Sequence, residues 1–189
     1  MVNKNNERNG GFMENYLFVI DYQKDFVDGA LGFPGAEKLD GPIAEKIRSY
    51  GPGRVFFTRD THFSDYLTTR EGKNLPVAHC IKGSDGWQVY GETARALEEV
   101  GAPAIDKLSF GMDISDPAVA AVLPVEAEQI ELVGLVSNIC VVSNAVVLQS
   151  KYPQATILVD AACTDSFDKA LHEKVLDVLF GLQVNVINR

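Results

Sequence analysis

Asp21, Lys107 and Cys140 each close a short apolar run, YLFVI, PAID and IELVGLVSNI in turn, and together they are the residue types that covalent acyl chemistry needs. A thiol is a nucleophile only as thiolate, and its pKa falls beside a cation or at a helix N-terminus. The segment after Asn138 reads as a helix whose first N–H groups would face the sulfur of Cys140, and Lys107 on a neighbouring strand would add a positive charge. Asp21 would accept the thiol proton and later return it to a leaving amine or, as a base, activate water. Backbone N–H groups at the Cys140 turn would hold an oxyanion, which points to acyl transfer from an amide through a thioester. Each residue also has a plainer reading: Asp21 as a helix cap, Lys107 as a surface lysine, Cys140 as a small buried hydrophobe.

A second constellation lies in RDTHFSDYLTTREGKNLPVAHC, where Asp60 and His62 project the same way after a strand and His79 follows a proline turn. Carboxylate and imidazole suit Zn²⁺, Fe²⁺ or Mn²⁺, with a coordination position left for water or a substrate ring nitrogen. The plainer alternative is that these side chains hydrogen-bond the loop together or contact substrate directly. Phe26 and Trp87 offer aromatic walls to a planar ring, and Tyr22 and Gln23 adjoin Asp21 as pocket borders. Cys80 and Cys163 read as packed thiols and His172 as a surface residue on the polar face of the last helix.

Six β-branched runs, at 16–21, 54–60, 103–107, 130–136, 155–160 and 184–188, must position these groups. Between several of them lie the helix-period segments AEKLDGPIAEKIRSY, GETARALEEV, NICVVSNAVVLQSKY and DKALHEKVLDVLF. The third is apolar on nearly every side and is expected to be buried. The fourth carries Leu171, Val175, Val178 and Leu179 in a half-buried stripe. Apolar strands alternating with helices predict an α/β fold, a parallel sheet covered on both faces, whose strand tips converge on a ligand crevice. The segment Thr61–Tyr90 lacks periodicity, its Gly72, Gly83 and Gly86 signal turns, and a loop of that length is expected to wall the site.

The chain has 189 residues and is 46% apolar, which suits one domain at 15–189 behind a polar, disordered leader at 1–14, with Met13 an alternative start. Seventeen basic against 26 acidic residues give a formal charge of -9, which disfavours nucleic acid or an anionic membrane as partner. No apolar run approaches the roughly 20 residues of a membrane span, and the leader lacks a signal-peptide core. Three cysteines in no framework spacing indicate a reducing, cytoplasmic setting. No G-x-G-x-x-G follows the first strand, so no nucleotide cofactor is expected.

VIDYQKDF with Asp21, DKLSFG with Lys107 and GLVSNICV with Cys140 follow one another in an order and spacing that resembles the isochorismatase-like cysteine hydrolases, and within them the nicotinamidase-type amidohydrolases. The resemblance runs from about Tyr16 to the C-terminus. It implies a three-layer sandwich with a six-stranded parallel sheet of order 3-2-1-4-5-6, and an Asp-Lys-Cys triad. It also implies a cis peptide between Leu135 and Val136, with the N–H groups of Val136 and Cys140 as the oxyanion hole. Leu135 and Asn138 would border the substrate, Asn138 standing where the family more often has Asp. The family's metal, held by an Asp-x-His pair, a later His and a fourth His or Glu, maps onto Asp60, His62 and His79, with Glu71 as the available fourth ligand. The expected substrate is a small amide, nicotinamide foremost, and the expected assembly a homo-oligomer. The rivals are a metal-free N-carbamoyl or ureido amidohydrolase, a thiol redox protein in which Cys80 resolves Cys140, and a binding module with an inactive triad.

Overall fold

The computed structural model describes residues 14–189, so the leader expected at the N-terminus, with Met13, lies almost wholly outside the described residues. Six strands form one parallel sheet: β1 (Asn15–Ile20), β2 (Val55–Asp60), β3 (Ala104–Lys107), β4 (Gln129–Leu135), β5 (Thr156–Asp165) and β6 (Asn185–Ile187). Their spatial order is β3-β2-β1-β4-β5-β6, as the sequence motifs implied. Strand order reverses between β1 and β4, and that switch point is where ligands bind in open α/β sheets.

Alternation along β1 divides the core. Leu17 and Val19 face a layer built on helices α2 (Asp40–Tyr50) and α4 (Gly91–Val100), with the short α1 (Lys24–Val27) above them. Phe18 and Ile20 face the opposite layer, made by α5 (Pro117–Val122), α6 (Val142–Lys151) and α7 (Lys169–Gly181). Both faces of the central strands are therefore dry, which is why they read as continuous apolar runs rather than alternating ones. The carboxylate of Asp40 ties two helices together, accepting from the N–H groups of Glu92 and Thr93 at 2.8 Å each. No helix among the described residues is long and apolar enough to cross a membrane.

Three sequence expectations are corrected. α6 is not wholly buried: Asn144, Ala145 and Leu148 face the core while Val146 is exposed. In α7 the inward stripe is Val175, Leu176 and Leu179, with Leu171 and Val178 exposed. The helix is rotated from its expected phase because His172, not Leu171, turns toward the sheet. Gly72 lies not in a turn but inside a helix, α3 (Arg70–Asn74). A Cβ there would stand 2.1 Å from the carbonyl oxygen of Tyr66, so the helix closes on the preceding turn only without a side chain.

Candidate active site

Asp21 follows the last residue of β1 and adopts a left-handed backbone, φ 44°, a conformation Asp tolerates better than most side chains. Thr58 on β2 fixes it twice, donating to Asp21 Oδ1 at 2.6 Å and accepting from the Asp21 N–H at 3.2 Å. Lys107 ends β3 in register with Asp60, so both side chains leave the same face of the same edge. Cys140 follows β4 through a wide helical turn, Ser137–Val141, that leads into α6. Gly134 makes this approach possible: with φ 108°, its missing Cβ would lie 2.0 Å from the carbonyl oxygen of Ile20, so only glycine lets β4 pass the end of β1 this closely. The Leu135–Val136 peptide is cis, as implied by the motifs.

The three reactive groups meet. Lys107 Nζ lies 2.7 Å from Asp21 Oδ2, 3.6 Å from Cys140 Sγ and 3.2 Å from Asp60 Oδ1, and also donates to the Ser109 carbonyl at 3.1 Å. All are buried. Burial alone would discharge the lysine, but the carboxylates of Asp21 and Asp60 oppose it, and the ammonium is held well above its ordinary pKa. Burial raises the Asp21 carboxyl, with Lys107 opposing. Burial likewise pushes the Cys140 thiol up, and the lysine does not overcome it because two carboxylates share the site. The pull of Lys107 on the thiol, expected from the sequence, is present but is outweighed by burial and the two carboxylates, and Asp21 stands beside the sulfur as the group able to take its proton.

Asp60 links this triad to a second cluster. Its Oδ2 lies 3.0 Å from His62 Nε2 and 3.5 Å from His79 Nε2, while Glu71 Oε1 is 3.6 Å from His62 Nε2. Burial opposes ionisation of Asp60, but the two imidazoles and Lys107 outweigh it and hold the carboxyl far below the usual carboxylate range. One ligand atom from each of Asp60, His62, Glu71 and His79 falls within 4.8 Å of the others. His79 Nδ1 is 2.8 Å from the Val77 carbonyl, which can only accept, so Nδ1 carries a proton and Nε2 is the atom turned to the cluster, donating to Asp60 when protonated and free to coordinate a cation when not. His62 Nε2 is buried and lies 3.0 Å from Asp60 Oδ2 in a geometry poor for a hydrogen bond, a contact that a cation set between the two atoms would satisfy better. These donors fit a divalent transition metal, two imidazoles and two carboxylates converging on one point.

The loop that the sequence left without structure achieves this convergence by folding back on itself. His62 and Ile81 form a parallel bridge, with the His62 N–H donating to the Cys80 carbonyl at 3.0 Å. Asp25 of α1 anchors the return, its Oδ2 accepting from the Cys80 N–H at 2.7 Å. Tyr66 packs against both imidazoles, at centroid distances of 4.5 and 5.0 Å. Gln23 does not border the pocket: wholly buried, it clamps the backbone of Asp60, accepting from its N–H at 2.8 Å and donating to its carbonyl at 3.0 Å. Tyr22 is also in the core, its hydroxyl on the Ala36 carbonyl. The roles of Gln23 and Thr58 were not legible because they depend on strands far apart in sequence.

A cleft of about 550 Å³ opens onto Cys140, Asp60, Glu71 and His79, and is walled by Phe26, Leu31, Leu75, Phe110, Val136, Ile139 and Phe167. Phe26 is where the sequence placed it. Trp87 is not: its indole N–H donates to Thr61 Oγ1 at 2.9 Å and Arg59 stacks on its face at 3.9 Å, so it anchors the loop from behind. Leu135 is wholly buried and Asn138 is half-buried, and neither lines the cleft. Their positions flank the nucleophile in sequence, but the wide turn directs Val136 and Ile139 inward instead. His172 is no surface residue; its Nδ1 lies 2.9 Å from Ser137 Oγ at the foot of the Cys140 turn. Cys80 and Cys163 are buried free thiols, as expected.

The isochorismatase domain model matches residues 15–189. No curated protein sequence matches the chain. Among solved structures, nicotinamidase PncA from Bacillus subtilis superposes with a TM-score of 0.78 at 23% identity, covering 92% of this chain and 99% of that one. The pyrazinamidase of Pyrococcus horikoshii, solved in complex with zinc, gives 0.74 at 19% identity, covering 93% and 99%. N-carbamoylsarcosine amidase from Thermoplasma acidophilum gives 0.70 at 24% identity, covering 92% and 95%. At these identities the likenesses establish a shared fold.

Proposed function

The chain belongs to the isochorismatase family, its domain spanning residues 15–189, and on that premise we propose that it is a cysteine-dependent amidohydrolase that cleaves a small carboxamide, of nicotinamide type, to acid and ammonia. The observation that carries this reading is the contact chain from Cys140 Sγ through Lys107 Nζ to Asp21 Oδ2, 3.6 and 2.7 Å, at the floor of an open cleft.

The chemistry follows from the ionisation pattern. Asp21 takes the proton of Cys140 as the sulfur attacks the amide carbon, and Lys107 offsets the charge on both. Lys107 keeps one positive charge among Asp21, Asp60 and the forming thiolate, so the site is never asked to hold two bare carboxylates and a bare sulfur. The N–H groups of Val136 and Cys140 receive the oxyanion. Collapse breaks the C–N bond, the proton on Asp21 leaves with ammonia, and a thioester on Cys140 remains. Asp21 then draws a proton from water, whose oxygen attacks the thioester; the C–S bond breaks, the acid leaves, and the proton on Asp21 returns to the Cys140 sulfur. Asp60, His62, Glu71 and His79 would hold a divalent metal, zinc foremost, which when bound supplies a Lewis-acidic contact for a substrate ring nitrogen or for water.

The rivals fare less well on specific grounds. An N-carbamoyl amino acid carries a carboxylate, yet among the described residues no lysine or arginine lines the cleft itself: Lys107 is engaged by Asp21 and Asp60 beneath it, and Arg70 lines the adjoining recess with Glu71 and Phe110. A resolving Cys80 would need thiolate character, but burial and the carboxylates of Asp60, Asp21 and Asp25 push its thiol far upward. Single-turnover mass spectrometry with nicotinamide and related amides tests the proposal. An acyl adduct on Cys140 with matching ammonia release is expected, and its loss in Cys140→Ala. Ammonia release that survives Cys140→Ala would overturn it.

A further inference from the structure

The cleft is polar at its floor and mainly apolar elsewhere, Asn74 beside Leu75 being the polar side chain among its walls. Cys140, Asp60, Glu71 and His79 crowd the floor, while Phe26, Leu31, Leu75, Phe110, Ile139 and Phe167 make the walls and mouth. Its volume, about 550 Å³, falls in the range of roughly 300–1,000 Å³ that accommodates drug-sized ligands, well beyond a single pyridine ring with its carboxamide. The mouth keeps large apolar side chains in water: Phe167 is 57% exposed, Phe110 41% and Leu75 38%. Phe167 is held there by edge-to-face contact with Phe33, 6.4 Å between ring centroids. Apolar side chains gathered around one opening mark a surface that a ligand covers. Two carboxylates at the floor, and no lysine or arginine among the described residues lining the walls, disfavour an anionic substrate.

We infer that the preferred substrate is an uncharged primary carboxamide whose acyl group is apolar and larger than one six-membered ring. The scissile amide sits at the polar floor and the bulk of the acyl group lies along the Phe and Leu walls. This rests on the amidohydrolase reading and adds to it the size and polarity of the acid released. Contacts remote from the reacting carbon raise kcat/KM by binding that is retained in the transition state.

The test compares ammonia release from nicotinamide, 6-alkylnicotinamides of increasing chain length, quinoline-3-carboxamide and N-carbamoylglycine, using the full chain supplied with zinc. Each methylene buried against the walls is expected to raise kcat/KM about four-fold. Quinoline-3-carboxamide is expected to exceed nicotinamide by at least about ten-fold, and N-carbamoylglycine to be the poorest substrate. Phe167→Ala is expected to reduce the ratio of quinoline to nicotinamide turnover by about ten-fold, and Phe167→Leu to restore most of it. Nicotinamide turned over as well as or better than the larger amides would overturn the inference while leaving the amidohydrolase reading intact. Absence of turnover for every amide, with Cys140 unmodified, would overturn both.

Discussion

Replacing Lys107 with Met keeps the length of the side chain and removes its charge, and the consequence can be worked from the contacts. At an effective dielectric of about 20, charges 2.7 and 3.2 Å apart attract by about 6 and 5 kcal/mol, against desolvation costs of several kcal/mol per ion. Breaking such a buried pair typically costs about 3–5 kcal/mol, because the carboxylate left behind has neither water nor counter-charge. For a domain of this size that loss lowers the thermal midpoint by roughly 6–20 °C. Asp21 would relieve the strain by taking up a proton, which removes the base, so ammonia release should fall by at least about 100-fold. The assay pairs denaturant unfolding with turnover in Lys107→Met, Asp21→Asn and the double variant. The double variant should recover about 2 kcal/mol relative to the sum of the singles, because an amide beside a methionine is no longer an unpaired charge, yet it should stay inactive. Strict additivity within about 0.5 kcal/mol would refute the reasoning, since it would mean the two groups do not share an electrostatic site.

Zinc added to chelator-treated protein should raise the unfolding midpoint with a concentration dependence that His62→Ala and His79→Ala weaken, read by calorimetry and by bound-metal analysis. Equal midpoints with and without zinc would remove Asp60, His62, Glu71 and His79 as a metal site. On the other side of the sheet, Lys46 lies 2.5 Å from Glu131 and 2.8 Å from Asp160. Burial opposes ionisation of Asp160, but the hydrogen bond from Lys46 outweighs it and lowers its pKa; burial likewise opposes the charge on Lys46, and the two carboxylates raise it. A lowered carboxyl stabilises above its unfolded pKa of about 3.9 and is lost as pH falls through the folded value; a raised ammonium stabilises below about 10.4 and is lost as pH rises through its folded value. The stability difference between the parent and Lys46→Met, about 3 kcal/mol, should therefore be flat from about pH 5 to 9 and shrink on both sides, as followed by urea midpoints. A difference that does not change with pH would show that Lys46 acts by packing alone. Gly134→Ala should cost more than about 3 kcal/mol, or prevent soluble expression, because its Cβ meets main chain at 2.0 Å; near-parent stability would mean β1 and β4 can separate at the switch point.

The strands and the triad were legible because both depend on local pattern. An apolar run buried on both faces announces a parallel strand, and the residue that ends it announces the crevice, so Asp21, Lys107 and Cys140 could be placed before their distances were known. What surrounds them was not. Trp87 looks like a ligand wall in a loop, yet Thr61 and Arg59 claim its two polar-seeking surfaces, a pairing set by how the loop folds back. His172 occupies the outward phase if Leu171 is taken as the stripe, and only its bond to Ser137 reveals that α7 is turned. Thr58 and Gln23 sit on strands and turns whose neighbours lie 37 residues away in the chain, a separation that carries no periodic signal. The net balance at the thiol was not legible for a related reason: sequence shows which cation is near but not how many carboxylates compete for it.

β3 is four residues long, lies at the margin of the sheet and is paired on one side alone. Margins are the first parts of a sheet to loosen, with opening free energies well below that of the whole domain. The ammonium that completes the triad therefore rides on one of the two short edge strands, β6 being the other, and mild denaturant should extinguish turnover while the tightly packed centre, β1 and β4, still gives a native spectrum. Durability of this enzyme in use would be governed by that rim rather than by its core, and reinforcement of β3 is where gains in working lifetime should be sought.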